Sequence, residues 1–166
     1  MSVILRTATP QEARPIHHLI TAHLAEGHLL PRTMDEVRLR ASGFVVATER
    51  GRIVACAELA PLSRATAEVR SLIVDSSSRG QGLGRQIVGE LRQRGRNAGF
   101  ERLCAFTHDP AFFVRIGFSI VPHVWIAEKM ITDCYDCALF RRCGQVAMTI
   151  PLAVAGERPQ FTSACA

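Results

Sequence analysis

Lysine, tyrosine and tryptophan are almost absent from this chain. Lys129, Tyr135 and Trp125 are the single examples of each, and aromatic residues make up 6% of the 166 positions. No apolar run approaches the roughly 18 residues that cross a bilayer. The segment Met1–Arg6 also lacks a basic leader followed by a long apolar stretch. We therefore expect no membrane partner, no secretory signal and a cytoplasmic location.

Arginine supplies nearly all of the positive charge. The chain carries a net charge of +5, and Lys129 is the one basic residue that is not arginine. The excess of arginine is explained either by a compositional bias of the genome or by an anionic partner. A nucleic acid would require a clustered basic stripe, whereas Arg92, Arg94 and Arg96 alternate and so spread around one predicted helix. Nucleic acid is therefore not expected, and phosphates of a cofactor or an acidic substrate fit the charge better.

The six cysteines do not indicate a disulfide-stabilised fold, because the chain is long and has enough ordinary apolar residues for a core. Cys56 and Cys104 lie in apolar strand patterns and are predicted to be buried thiols. The only cluster is Cys134, Cys137 and Cys143. Zinc prefers four ligands, so His123 or Asp133 would have to complete a site there. We expect no metal, and this cluster is the alternative place for zinc.

The order of apolar patterns and turns predicts a single α/β domain over residues 1–150 and a flexible tail over 151–166. The predicted strands are 3–6, 44–48, 52–59, 67–74, 102–106, 118–121 and 145–150, and the predicted helices are 10–25, 33–40, 83–97 and 111–115. Capping boxes mark the starts of the first two helices, at Thr9 with Glu12 and at Thr33 with Glu36. The stretch 122–143 has no clear periodicity. This order implies one helical crossover in the second half of the domain.

The most informative segment is a glycine-rich turn between a strand and a helix. The strand ends near Val74, and Arg79-Gly80-Gln81-Gly82-Leu83-Gly84 opens the next helix. Free backbone N–H groups at a helix start form an anion site, and glycines let the backbone approach a pyrophosphate closely. A dinucleotide-binding G-x-G-x-x-G is excluded because Arg85 stands at the third glycine position. A Gly-Lys-Ser/Thr phosphate loop is absent.

The remaining pattern, Arg-x-x-Gly-x-Gly after a strand, resembles the acyl-CoA signature of the GNAT superfamily of N-acetyltransferases. The resemblance covers residues 3–150 and includes Phe112–Phe118, which is similar to the superfamily's later helix and its Gly-Phe exit. Within the superfamily the chain is most like the short N-acetylglutamate synthases, by Leu29–Arg32, Ile53–Ala57, Glu68–Leu72 and the segment from Lys129 to Met148. This resemblance implies a single α/β domain with a mixed, mostly antiparallel sheet flanked by helices.

The resemblance also implies acetyl-CoA as co-substrate and a place for each of its parts. Backbone groups of Leu72, Ile73 and Val74 would bind the pantetheine arm, and an N–H at Leu72 would polarise the thioester carbonyl. The pyrophosphate would lie on the turn formed by Arg79, Gly80, Gln81, Gly82, Leu83, Gly84 and Arg85.

The sequence offers two candidates for the general base and no proton donor at the usual position of the general acid. Glu68 stands where many superfamily members keep a general base that acts through water. Glu58 is the rival, because it occupies a position where the subfamily usually has a small apolar residue. Phe113 stands at the usual position of a Tyr general acid, so that role is vacant, and solvent or Tyr135 would substitute. A thiolate with a reference pKa near 8.5 is a fair leaving group without an acid.

The subfamily likeness makes L-glutamate the expected acceptor and N-acetylglutamate, a precursor of arginine, the product. Arg32, Arg70 and Lys129 are the candidates for binding the two carboxylates. The alternatives are another amine as acceptor, such as a different amino acid, a polyamine or a protein N-terminus, or a non-catalytic acyl-CoA-binding module. A homodimer is an assembly that the sequence permits but does not require.

Overall fold

The computed structural model describes residues 3–27 and 29–152, and within these residues seven strands form one sheet. The strands are β1 Ile4–Thr7, β2 Phe44–Glu49, β3 Arg52–Pro61, β4 Thr66–Val74, β5 Arg102–Thr107, β6 Ser119–Val121 and β7 Val146–Pro151. Their order across the sheet is β1-β2-β3-β4-β5-β7-β6. Among the described pairs only β4 and β5 are parallel, so the predicted mixed, mostly antiparallel sheet is confirmed.

Helices cover both faces of this sheet. They are α1 Ala13–Ala22, α2 Met34–Leu39, α3 Leu83–Asn97, α4 Pro110–Arg115 and a short α5 Ala127–Lys129. Ile87, Val88 and Leu91 of α3 are buried in one apolar cluster with strand residues. Ile16 and Val37 of α1 and α2 are buried in a second cluster. The strands between these two clusters are consequently apolar on both faces, and their sequences are therefore nearly continuous hydrophobic runs.

The helix starts follow the predicted caps. At Thr33 the side chain accepts a hydrogen bond from the Glu36 backbone N–H at 3.2 Å, and Glu36 accepts one from the Thr33 N–H at 2.7 Å. The Thr9–Glu12 box is also present, but it opens a 3₁₀ turn before α1. The first helix is shorter than predicted. It ends at Ala22, and the 3₁₀ turn Leu24–Glu26 closes on Gly27 at φ +77°, a conformation that glycine adopts without strain.

The stretch without periodicity is built from short helical turns. After the 3₁₀ turn His123–Trp125, α5 continues into a π-helical turn, Met130–Cys134. At the other end, β7 extends to Pro151, and Leu152 is buried with its N–H bound to the Glu101 carbonyl at 2.8 Å. The rest of the predicted tail, residues 153–166, lies outside the described residues.

Strand β4 has two irregularities, one on each side, that leave some of its backbone groups unpaired. The strand pairs with β5 only from Thr66 to Glu68, so beyond this point the carboxyl ends of the two parallel strands separate. On its other side, β4 bulges: Cys56 faces Ile73 and Glu58 faces Arg70, which leaves Ser71 and Leu72 opposite a single β3 residue. Ser71 adopts φ +51°, an unusual conformation for a residue other than glycine. A bulge leaves backbone groups outside the ladder, available to a ligand.

Candidate active site

A cleft of about 630 Å³ opens between the separated ends of β4 and β5. Val69 and Ser71 line it from β4, and Phe106 and Thr107 line it from β5. The floor and rim contain all of the residues predicted to bind the cofactor except Gln81, namely Leu72, Ile73, Val74, Arg79, Gly80, Gly82, Leu83, Gly84 and Arg85. The structure thus gathers the predicted set around one cavity.

The glycine turn has the geometry of a phosphate cradle. Gly80 and Gly82 adopt φ +78° and +77°, which a side chain would strain. Gly82 is the N-cap of α3 and offers no side chain to the first helical N–H groups. The first helical residues, Leu83, Gly84 and Arg85, line the cleft and lie at the positive end of the dipole of a 15-residue helix. The arrangement suits a diphosphate.

Arg79 ties this turn to the far side of the cleft. Its Nη2 atom donates to both Glu26 carboxylate oxygens at 2.9 Å, and its Nε atom donates to the Val74 carbonyl at 3.0 Å. Glu26 also lines the cleft. Arg79 is therefore paired with a protein carboxylate, whereas the sequence predicted a phosphate as its partner. These contacts hold the Arg79 side chain at the cleft, where an anion could bind it.

A charged cluster lies on β4 immediately before the bulge. The Glu68 side chain is 4% exposed and has both oxygens paired: Lys129 Nζ lies 2.8 Å from Oε1, and Arg70 Nε lies 2.6 Å from Oε2. Burial disfavours the Arg70 charge, but Glu68, Asp133 and Glu58 outweigh that effect and hold the pKa of Arg70 above its usual value. Two of the predicted substrate-binding cations thus meet on one buried carboxylate.

Asp133 completes this cluster and was not singled out as part of the acceptor site from the sequence. Its Oδ2 atom accepts from Lys129 Nζ at 2.7 Å and from Arg70 Nη2. Lys129 and Asp133 are four residues apart on one helical turn, a spacing that pairs opposite charges. That spacing is the signal that could have identified Asp133.

Arg32, the third predicted cation, binds the rival base instead. Its Nη1 atom lies 2.9 Å from Glu58 Oε2, and Arg40 Nη1 lies 3.3 Å from Oε1. Glu58 is 1% exposed and faces Arg70 across the β3–β4 ladder. The two carboxylate centres therefore lie side by side on one face of the sheet, and neither Glu58 nor Glu68 itself lines the cleft.

The residues considered as general acid differ in position. Phe113 is buried, packs edge-on against Phe112 and Phe118, and lines the cleft. Tyr135 is 68% exposed and lies against Phe140, and it does not line the cleft.

The cysteines fall into two groups. Cys56 and Cys104 are buried as predicted, and desolvation raises the pKa of each thiol to about 12, so both are inert. Cys134, Cys137 and Cys143 are free thiols near the surface. Among residues 3–27 and 29–152, no three histidine, cysteine or acidic side chains are grouped so that they could hold a metal ion. Every helix in this part of the chain is also too short or too polar to cross a membrane.

A sheet that opens between two parallel strands beside a glycine-rich helix start is the arrangement expected from the resemblance to the acetyltransferases. Comparison with known families agrees, because the model described as "Acetyltransferase (GNAT) family" matches residues 11–118. The chain belongs to this family of acetyltransferases.

Relatives of known name are N-acetyltransferases. An uncharacterized N-acetyltransferase of Chlorobaculum tepidum is 26% identical over 144 residues, which are 87% of this chain and 93% of the relative. An amino-acid acetyltransferase of Mycobacterium tuberculosis is 35% identical over 83 residues, 50% of this chain and 48% of the relative.

Solved structures share the fold at low identity. The N-acetylglutamate synthase of Neisseria gonorrhoeae, solved with coenzyme A and N-acetyl-glutamate, superposes with a TM-score of 0.83 at 21% identity. The match covers 93% of this chain but 36% of that one. A Mycobacterium tuberculosis protein solved with CoA has a TM-score of 0.77 at 23% identity, over 90% of this chain and 99% of that one.

Proposed function

We propose that this acetyltransferase binds acetyl-CoA in the β4–β5 cleft and transfers the acetyl group to the amino group of L-glutamate. The products would be N-acetylglutamate and CoA, a step towards arginine, in the cytoplasm. The observation that carries the proposal is a juxtaposition at β4. Val69 and Ser71 of this strand line the cleft, and Glu68 and Arg70 alternate with them along it. Glu68 and Arg70 join Lys129 and the neighbouring Glu58 in one charged cluster.

The cofactor would lie with its pyrophosphate on the N–H groups from Arg79 to Arg85. Its pantetheine arm would follow Leu72, Ile73 and Val74 along the open edge of β4. This alignment brings the thioester to the bulge, where the Leu72 N–H would donate to the carbonyl oxygen as negative charge develops on it.

The acceptor amine must lose a proton before it attacks the thioester carbon. Because neither buried carboxylate lines the cleft, we propose that Glu68 takes this proton through water. Attack would form a tetrahedral oxyanion, whose collapse breaks the carbon–sulfur bond and releases the CoA thiolate. With Phe113 at the usual acid position, solvent would protonate the thiolate.

Glutamate as acceptor is supported by the charges of the cluster. Four cations, Arg32, Arg40, Arg70 and Lys129, are paired with four carboxylates, those of Glu36, Glu58, Glu68 and Asp133. The paired charges balance, and it is the concentration of guanidinium and ammonium donors that favours an anionic acceptor over a polyamine. Each charge-assisted hydrogen bond to an acceptor carboxylate would contribute roughly 1.5–3 kcal/mol.

The test is CoA release with a panel of glutamate, glutamine, aspartate and spermidine. Loss of one charged contact should make glutamine worse than glutamate by about tenfold or more in kcat/KM. If glutamine or spermidine is the better acceptor, the glutamate proposal fails. If no amine is acetylated while CoA still binds, the chain is an acyl-CoA-binding module.

A further inference from the structure

Asp133 holds a particular place in the charged cluster. One of its oxygens, Oδ2, accepts hydrogen bonds from Arg70 and from Lys129 Nζ, the latter at 2.7 Å. These two cations come from β4 and α5, separate parts of the chain. Charge-assisted hydrogen bonds from an arginine and a lysine are also contacts that a free carboxylate can make.

The two acids that share these cations differ in accessibility. The Glu68 side chain is 4% exposed, whereas that of Asp133 is 37% exposed. Arg70 and Lys129, at 20% and 11%, lie between them. Glu68 is thus the inner partner, and Asp133 is the outer partner that solvent and solutes can reach.

Charge balance makes the outer position exchangeable. Arg70 and Lys129 are neutralised by Glu68 and Asp133. If Asp133 moved away alone, two largely buried cations would share one anion, which is costly. If a free carboxylate took its place, the number and type of charge contacts would be preserved.

Asp133 also remains ionised. Partial burial opposes its charge, but the hydrogen bond and the charge of Lys129, together with the charge of Arg70, hold its pKa below the usual value. The segment that carries it is a single π-helical turn, Met130–Cys134, rather than a long helix. Such a turn is irregular and often found at functional sites.

We infer that Asp133 is a specificity-determining residue whose carboxylate occupies the place between Arg70 and Lys129 that an acceptor carboxylate takes, and competes with it. The inference rests on the proposed function, since it concerns the acceptor of that reaction. Asp133 then sets how strongly a dicarboxylate is preferred: a second acceptor carboxylate must displace it, whereas a neutral side chain gains nothing from doing so.

The variant Asp133→Asn tests this inference with little change of shape. Removing the competing charge should lower KM for glutamate by about threefold to tenfold, the effect of weakening one competing ion pair. KM for acetyl-CoA should stay within about twofold, and KM for glutamine should fall less than KM for glutamate. Asp136→Asn is the matched control, because it removes the same charge from an exposed position three residues further along the chain. Asp133→Glu, which keeps the charge, should retain the wild-type preference.

A purely structural role predicts the opposite result. If Asp133 only holds the two cations in place, Asp133→Asn raises KM for glutamate or leaves it unchanged, and either outcome overturns the inference. A binding measurement separates this failure from failure of the proposed function. Glutarate, a dicarboxylate without an amine, should bind the CoA-loaded Asp133→Asn variant more tightly than the CoA-loaded wild type in calorimetry. Tighter glutarate binding without acetylation of any amino acid would uphold the Asp133 subsite and reject the glutamate reaction, whereas equal or weaker glutarate binding would reject the subsite.

Discussion

At the scale of single residues, the two buried glutamates are chemically similar but differ in position. Both have two cationic partners, yet Glu68 lies on the strand that lines the cleft and Glu58 lies one strand further away. Nearness to the proposed position of the thioester carbonyl therefore favours Glu68 as the base.

Glu68→Gln should lower kcat by about two to four decades, the usual contribution of a general base. Because Gln cannot neutralise Lys129 and Arg70, CoA affinity and the thermal melt must be measured alongside to show that the cleft is intact. Glu58→Gln is the matched control, since it makes the same change beside two cations. If Glu58→Gln abolishes turnover and Glu68→Gln does not, the base has been assigned to the wrong carboxylate.

Gly82 is the residue at which the proposed pyrophosphate site can be tested most directly. Gly82→Asp would place a carboxylate at the helix start where the pyrophosphate is proposed to lie. The variant should weaken CoA binding by several kcal/mol, on the order of an unpaired like charge in a buried site.

Gly82→Asn is the control for backbone strain, because Asn has the same shape as Asp and tolerates the left-handed conformation at φ +77°. Calorimetry should show a much smaller loss of CoA affinity for Asn than for Asp. Equal losses would mean that strain, not charge, is responsible, and unchanged affinity in both would move the pyrophosphate elsewhere.

At the scale of elements, the entry to α1 is fixed by an ion pair with β1. The hydrogen bonds from Arg6 to Glu12, at 2.8 and 2.5 Å, are the main reason that the pKa of Glu12 is lowered to about 2. The Thr9 N–H, at 2.9 Å, adds to this effect.

A carboxylate with a lowered folded-state pKa stabilises the fold above its unfolded pKa, about 4.3 for Glu, and loses that contribution as pH falls towards the folded value. Denaturant unfolding should therefore show a loss of stability between about pH 5 and pH 2 that is shallower in Glu12→Gln. Asp35→Asn, at an 84% exposed side chain, should leave the slope unchanged. Parallel curves for wild type and Glu12→Gln would contradict this account.

Local signals explain why the elements themselves were predictable. The capping boxes and the glycine turn before α3 act through neighbouring backbone groups, so they can be recognised in the sequence. The stretch 122–143 lacks a helical or strand periodicity, because α5 is only three residues long and continues into a π-helical turn.

At the scale of the whole molecule, long-range ion pairs account for what the sequence left open. Arg70 and Asp133 are 63 positions apart, and Arg32 and Glu58 are 26 apart, so no local pattern joins them. The sequence indicated that Arg32, Arg70 and Lys129 matter, but not that each already has a carboxylate partner. Part of the arginine excess is thereby explained, since these side chains neutralise acids buried in the sheet.

We propose that an acceptor carboxylate binds beside the cleft through the Arg70 cluster, separately from the cofactor. Steady-state kinetics of Arg70→Ala test it most directly, because the two substrates are measured in one assay. Loss of a charge-assisted contact of roughly 1.5–3 kcal/mol should raise KM for glutamate by about tenfold to a hundredfold, while KM for acetyl-CoA stays within about twofold. Unchanged glutamate kinetics, or an equal rise in both constants, would mean that Arg70 does not bind the acceptor.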